Sequence, residues 1–398
     1  MLENTSAKNR RVLISGGGIA GLTLGILLYE RGWEPLVIER DPELRTEGYM
    51  IDFFGTGWDV AERIGIVEQL RAVKYPINYI EFVDNIGKPY VRTPISRVRQ
   101  VFKDKYVYLR RSDLEKILFD RAKSAGLDVR FSTVVKYLND TGSSMEVEFE
   151  NGRQDSFSLV FGADGVHSNV RELTFGPEEK FARFLGAYVT AFHTANKYDI
   201  VDSIKLFEEK DHTIGYYPIG NQVMTAFYVF RNLNAGFIPH EERLPLLKDK
   251  FKDSGWLGKQ VLEDLDLKTP VFFDSLTQIL MPTWSKGRIA LLGDASSCLT
   301  LIAGQGSHMA MGAAYVIARE LERHNGEHEP AFSAYEAFLK PLVIARQDSA
   351  AAFSNTFIPS QNSRMWLRRI VIKLIFNRFL LGYFLSSFGA KSVLGHYE

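Results

Sequence analysis

The chain has 398 residues, 45% of them hydrophobic and 24% charged, and its 48 Lys and Arg are matched by 48 Asp and Glu. This length supports a large core and more than one domain, and a net charge of zero argues against nucleic acid as the main partner, because phosphate contacts need a basic excess. The single cysteine, Cys298, excludes an intrachain disulfide and a cysteine-based metal site, and fits a reducing, cytoplasmic compartment.

The first residues, "MLENTSAKNRR", are polar and carry no secretory pattern. "RVLIS" is a short apolar run ending in glycines, which predicts a buried parallel strand. "LTLGILLYERG" has helical spacing and stops at Gly32, and "PLVIER" predicts a second strand, completing a βαβ unit. "VYLRRSDLEKILFDRAKSAG" reads as a strand end followed by a helix, with Ser112 as cap and Glu115 three residues on, as in a capping box. "VEFENGRQDSFSLVFGAD" predicts a hairpin turning at Asn151-Gly152 and then a buried strand. From about 185 to 278, "LGAYVTAFHTA", "SIKLFEE", "TIGYYPI" and "VMTAFYVFR" are aromatic-rich with two-residue periodicity, which predicts a distinct mixed sheet.

Alternation in the last of these puts Met224, Ala226, Tyr228 and Phe230 on one face and Thr225, Phe227, Val229 and Arg231 on the other. Periodicity leaves open which face lines a pocket; Phe192, Tyr217, Phe227 and Arg231 are the substrate candidates. "RIALLGDA" returns to the buried-strand style, and "GSHMAMGAAYVIARELERHNG" predicts a small-residue helix ending near Gly326. The nucleotide-binding domain is therefore discontinuous: residues 1–75, 100–180 and 282–345, with a β-sheet domain of 76–99 and 181–281 inserted and C-terminal helices over 346–398. The run "IVIKLIFNRFLLGYFL" (370–385) is interrupted by Lys373 and Arg378. It reads as a buried amphipathic helix rather than a spanning one or a surface-bound one.

Three motifs carry chemistry. The first is Gly16-x-Gly18-x-x-Gly21 with Glu39 at the end of the next strand. Gly16 permits the tight turn, Gly18 the approach of a pyrophosphate and Gly21 close packing of helix on sheet; the helix N-terminus offers N–H groups to phosphate, and Glu39 accepts ribose hydroxyls. The second, "FGADGVHSNVR", places Asp164, Gly165, Ser168 and Arg171 after a buried strand. The third places Gly293 and Asp294 at another strand's end, where a carboxylate holds a sugar or ribityl hydroxyl, followed by Gly304-Gln305-Gly306, whose N–H groups face a flavin's pyrimidine end or an anion. A plain NAD site leaves the second and third motifs idle. His308 on the small-residue helix reads as a packing or hydrogen-bonding residue rather than a base, Cys298 as a small buried residue, and no His/Asp/Glu cluster has metal-ligand spacing.

Taken in this order over about 11–338, the motifs resemble the single-component FAD-dependent aromatic hydroxylases of the para-hydroxybenzoate hydroxylase type. "WSKGRIALLGDASSC" and "GAYVIAREL" are most similar to the branch that includes the tetracycline-inactivating flavin monooxygenases. The resemblance implies an α/β, Rossmann-like FAD-binding domain of the GR2 type with an inserted mixed β-sheet substrate domain. It implies resident FAD, NADPH or NADH as reductant, and O₂ activated as a C4a-hydroperoxide that hydroxylates an aromatic or polycyclic small molecule, with tetracycline-type antibiotics among the candidates. It further implies that Glu39 binds the adenosine ribose with Arg40 at the adenine end. Arg111 would contact the phosphate–ribityl region, Asp294 the ribityl or ribose hydroxyls, and Asp52, in "GYMIDFFG", would lie near the flavin ring. Asp164 would serve both FAD and the passing nicotinamide. Two positions depart from the family: Ser297 stands where His is common and Leu301 where Pro is common. Two other readings are an FAD-dependent reductase or epoxidase of a polyprenyl lipid at a membrane surface, and a flavin-binding module without turnover. A membrane partner is not expected; a monomer or homodimer is.

Overall fold

The computed structural model describes residues 10–44, 49–75, 77–220, 222–234, 236, 238–301, 304–359, 365–376 and 392–397. Its first sheet has six strands in the order Ser285–Lys286, Ile289–Leu291, Leu159–Gly162, Arg11–Ser15, Glu34–Ile38, Asp128–Arg130. All neighbours are parallel except the first pair. Parallel strands covered on both faces need continuous apolar runs, and Val12, Leu13 and Ile14 are fully buried. The helices Ile19–Tyr29, Arg111–Ala125 and Gly306–Arg323 pack together on this sheet. The Asn151-Gly152 turn joins Met145–Phe149 to Gln154–Phe157, with Gly152 at φ +79° as such a turn requires.

The second sheet has seven strands: Val271–Ile279, Ala182–Ala195, Val223–Arg231, His212–Pro218, Ser203–Glu209, Tyr79–Val83 and Pro89–Pro94. One face is closed by the helices His240–Lys250 and Gly258–Glu263. Phe192, Tyr216, Met224, Ala226, Tyr228 and Phe230 pack there with Leu247, Phe251 and Val261. The register pairs Phe192 with Ala226 and Ala191 with Phe227, and Tyr217 with Thr225. Phe227, Thr225, Tyr217 and His193 therefore share the opposite face, which looks toward the nucleotide-binding half.

Two local expectations are corrected. Ser112 does not cap the helix Arg111–Ala125: Arg110 is the N-cap, no side chain caps it, and Glu115 turns instead to Arg111 at 2.8 Å. A buried ion pair across one turn competes for the same carboxylate and wins it. The C-terminal run is not a buried helix in its described part. The helix Met365–Ile375 buries Ile372 but exposes Trp366, Leu367, Ile370, Val371 and Leu374; residues 377–385 of the run lie outside the described residues.

Candidate active site

The glycine turn is sterically forced. A Cβ on Gly16, at φ +113°, would lie 2.3 Å from the Ala163 carbonyl oxygen, and one on Gly21 only 1.9 Å from the Gly16 carbonyl oxygen. Gly18 precedes the helix Ile19–Tyr29, and a side chain there would meet Glu115 Oε1 at 3.4 Å and the Arg111 guanidinium at 3.9 Å. The bare backbone leaves a channel between the helix start and Arg111, the space a pyrophosphate needs. Glu39 is aimed by main-chain donors: Gly17 N–H donates to Oε2 at 2.8 Å and Asp41 N–H to Oε1 at 3.1 Å.

These residues line a groove that brings together Gly16, Gly18, Glu39, Arg40, Arg111 and Asp164. Arg111 is among its lining residues. The neighbouring Glu115 carboxylate holds the Arg111 pKa above its usual value, with smaller contributions from Tyr49, Asp294 and Glu39. Asp294 opens the short helix Asp294–Ser297. Burial pushes its carboxyl above the ordinary range and Arg111 pulls it back. With Gly293 and Gly306 it lines a second, small pocket. Gly304, at φ +64°, is exposed, Gln305 caps the helix Gly306–Arg323, and its Oε1 accepts from Arg346 Nε at 3.1 Å.

Asp164 plays an inward part. Its carboxylate accepts from the Ser168 hydroxyl and from Val170 N–H at 3.0 Å, so it shapes the loop that walls the groove. Burial raises its pKa, and those donors offset part of the rise. Arg171, fully buried, ties the second motif to the third. It donates to the Val166 carbonyl at 2.6 Å, to Glu178 at 2.7 Å and to the Ala295 carbonyl at 3.1 Å. His167 lies between Glu178, at 3.0 Å, and Asp274 of the second sheet, at 3.8 Å. Those carboxylates, Asp274 first, raise it to about 9, so it is a cation at neutral pH on the groove wall.

Asp52 is not in the groove but on the ribbon Met50–Phe54, paired with Tyr106–Arg110, the strand that runs directly into Arg111. Its carboxylate accepts from the Tyr106 hydroxyl; burial raises its pKa and that hydrogen bond lowers it. The His308 Nε2–H donates to the Asp52 carbonyl at 2.8 Å, and its ring packs 4.5 Å from Phe54. Burial lowers His308 to about 4, so the imidazole is neutral and serves packing.

Of the substrate candidates, Tyr217 and Phe227 face the nucleotide half together. Tyr217 accepts from Met50 N–H at 2.8 Å and meets Tyr108 edge-on at 6.2 Å. Phe192 stacks 5.7 Å from Tyr228 in the closed core, and Arg231 is tied to Asp211 at 3.1 Å and to the Ile358 carbonyl at 3.0 Å. Neither joins them. Sequence reasoning missed Tyr49 and Phe272, whose rings meet at 5.7 Å and connect the groove to the aromatic face. It also missed Gln278 and Gln347. Gln278 Nε2 donates to the Leu299 carbonyl at 3.0 Å, and Gln347 Nε2 to the Cys298 carbonyl at 3.1 Å, holding the segment that carries Ser297 and Leu301. No period or motif marks a residue whose role is to satisfy a distant carbonyl. In that segment Thr300 takes φ +127°, and its buried hydroxyl has no partner among the described residues. A strained residue with an orphaned donor between the Asp294 and Gly304 turns is what a cofactor-completed site leaves behind.

A family model described as "FAD binding domain" matches residues 9–334. The chain belongs to this FAD-binding family. It is 30% identical over 355 residues, 88% of this chain and 90% of the other, to a flavin-dependent monooxygenase of Legionella longbeachae. Its fold is similar to that of the tetracycline destructase Tet(51), with a TM-score of 0.79, 29% identity and 92% and 97% of the two chains covered. It is likewise similar to the tetracycline destructase Tet(55), at 0.82, 26%, 97% and 99%. The protein is an FAD-dependent monooxygenase, and the glycine turn, Arg111, Asp294 and the orphaned Thr300 hydroxyl fit its cofactor. No described helix is long and apolar enough to cross a membrane.

Proposed function

We propose that this monooxygenase uses NADPH or NADH and O₂ to hydroxylate an aromatic or polycyclic small molecule, tetracycline-type compounds being one candidate class. The observation that carries the reading is the junction at Tyr49. Its carbonyl accepts from Arg111 N–H at 3.1 Å, while its ring touches Phe272 of the second sheet. This junction ties the segment that carries Arg111 to the side of the second sheet that holds Phe227, Phe272 and Tyr217, which supports a substrate bound between them.

FAD, when bound, supplies the electron transfer and oxygen activation. The protein's own residues do the rest. The helix N-terminus behind Gly18 and the Arg111 guanidinium balance the pyrophosphate charge, and Glu39 receives ribose hydroxyls. Asp294, backed by the Gly293 turn, receives a polyol hydroxyl. Aromatic rings on the open face stack a flat substrate and exclude water from it. Asp52 accepts the hydrogen bond of the Tyr106 phenol in a desolvated place beside this face.

The test is a screen of phenols, quinolones and tetracyclines against the FAD-loaded enzyme. A substrate is expected to accelerate NADPH oxidation and to gain one oxygen atom by mass. Flavin reduction that no compound in these classes stimulates would overturn the proposal.

A further inference from the structure

The helix Met365–Ile375, "MWLRRIVIKLI", meets the second sheet with one narrow side only. Ile372 is buried with Phe82 and Val91, and Arg368 grips Glu208 through Nε at 2.9 Å and Nη2 at 2.5 Å. The outward side is apolar. Trp366 is 64% exposed, Leu374 52%, and Leu367, Ile370 and Val371 lie between 44% and 46%. At 3.6 residues per turn these five fall within an arc of about 140°. Single exposed hydrophobes are ordinary on a protein surface; five in one contiguous stripe mark a face that binds something.

The charges on the same helix say what it binds. Arg369 and Lys373 border one edge of the arc, and the helix has no acidic residue. Arg369 lies 5.1 Å over the Tyr90 ring, and Lys373 is exposed with no ion-pair partner among the described residues. An apolar arc with Trp at one end and cations along its rim is the pattern of a helix lying in the plane of a lipid surface. The eleven described residues extend about 16 Å, far short of a bilayer's hydrocarbon thickness, a length suited to a helix lying in a lipid surface. Pairing with a second copy would set these cations beside one another with no acid on the helix to neutralise them.

We infer that this helix docks the enzyme on anionic lipid bilayers. Its apolar arc rests among the upper acyl chains, and Arg369 and Lys373 rest on headgroup phosphates. This attachment is independent of which compound is oxidised.

The test is flotation of the full-length, FAD-loaded protein with phosphatidylcholine vesicles, with and without phosphatidylglycerol. The protein is expected to float with the anionic vesicles and to be released by added salt. Lys373→Glu should lower binding about tenfold, and Ile370→Glu with Leu374→Glu at least tenfold. Both variants should keep the wild-type flavin content and melting temperature, because the altered side chains lie outside the core. Wild-type protein that stays at the bottom of the gradient overturns the inference, as does a double variant that floats like wild type. So does equal binding to neutral vesicles. A concentration-dependent dimer that Ile370→Glu dissolves, without vesicle binding, would assign the face to a second copy instead.

Discussion

Arg171→Met is the most informative perturbation, because one side chain joins two motifs that are 124 positions apart at their point of contact. Methionine keeps the apolar stem and removes the guanidinium. The carbonyls of Val166 and Ala295 lose a charged donor, and Glu178 loses one of its two cations while keeping His167. Removing one member of a buried pair costs ~3–5 kcal/mol. Two features move this case to the lower end. The Glu178 side chain is 28% exposed and regains water, and Arg171 Nε already lacks an acceptor among the described residues. About 3 kcal/mol corresponds to a drop in melting temperature of about 4 °C for a chain of 398 residues. Because Ala295 follows Asp294 directly, the loosened turn should also raise the FAD dissociation constant about tenfold, or ~1.4 kcal/mol. Thermal melts with and without FAD, and titration of flavin fluorescence, measure both. A variant that melts with the wild type and keeps its FAD affinity would refute the linkage.

Gly21→Ala has no room for its methyl group against the Gly16 carbonyl. It should cost about 3 kcal/mol or more and yield colourless or insoluble protein, read from the flavin-to-protein absorbance ratio. Asp294→Ala should weaken FAD binding about tenfold by loss of a charged acceptor; calorimetry showing equal affinity would remove Asp294 from the site. His308 gives a pH dependence of definite sign. Burial holds it at about 4, against 6.5 for the free residue. Between those values the unfolded chain takes up a proton that the folded one refuses, so the contribution of His308 to stability should climb as pH rises to about 6.5 and be level above it, while that of His167, raised to about 9, falls between about 6.5 and 9. His308→Gln should flatten that climb, as followed by melting temperature across the same range.

The cofactor turn was legible from the primary structure because its requirements are local. Gly16 and Gly21 sit where any side chain would strike the backbone, and no tertiary arrangement changes that. The buried parallel strands and the Asn151-Gly152 hairpin were legible for the same reason. Ser112 shows how a local signal loses. The capping pattern was present, but Glu115 had a stronger partner in Arg111, one residue before the supposed cap. Asp164, expected to serve FAD and the passing nicotinamide, lines the groove, and only the tertiary structure shows that Ser168 and Val170 also hold its carboxylate. Arg171 was marked by the second motif but its link to Ala295 was not, and Gln278 and Gln347 were invisible as functional residues, since the carbonyls they satisfy belong to distant segments.

Periodicity announced that the strand Val223–Arg231 has two unlike faces, and the structure has them. It could not say what stands opposite each face. Cross-strand register alone sends Phe192 into the closed core and Phe227 toward the cofactor groove. Docking through Ile372 and Arg368 alone turns five apolar side chains of the C-terminal helix to the outside. A repeat along one chain encodes direction, whereas burial depends on which other segment arrives, and only the assembled chain supplies that neighbour.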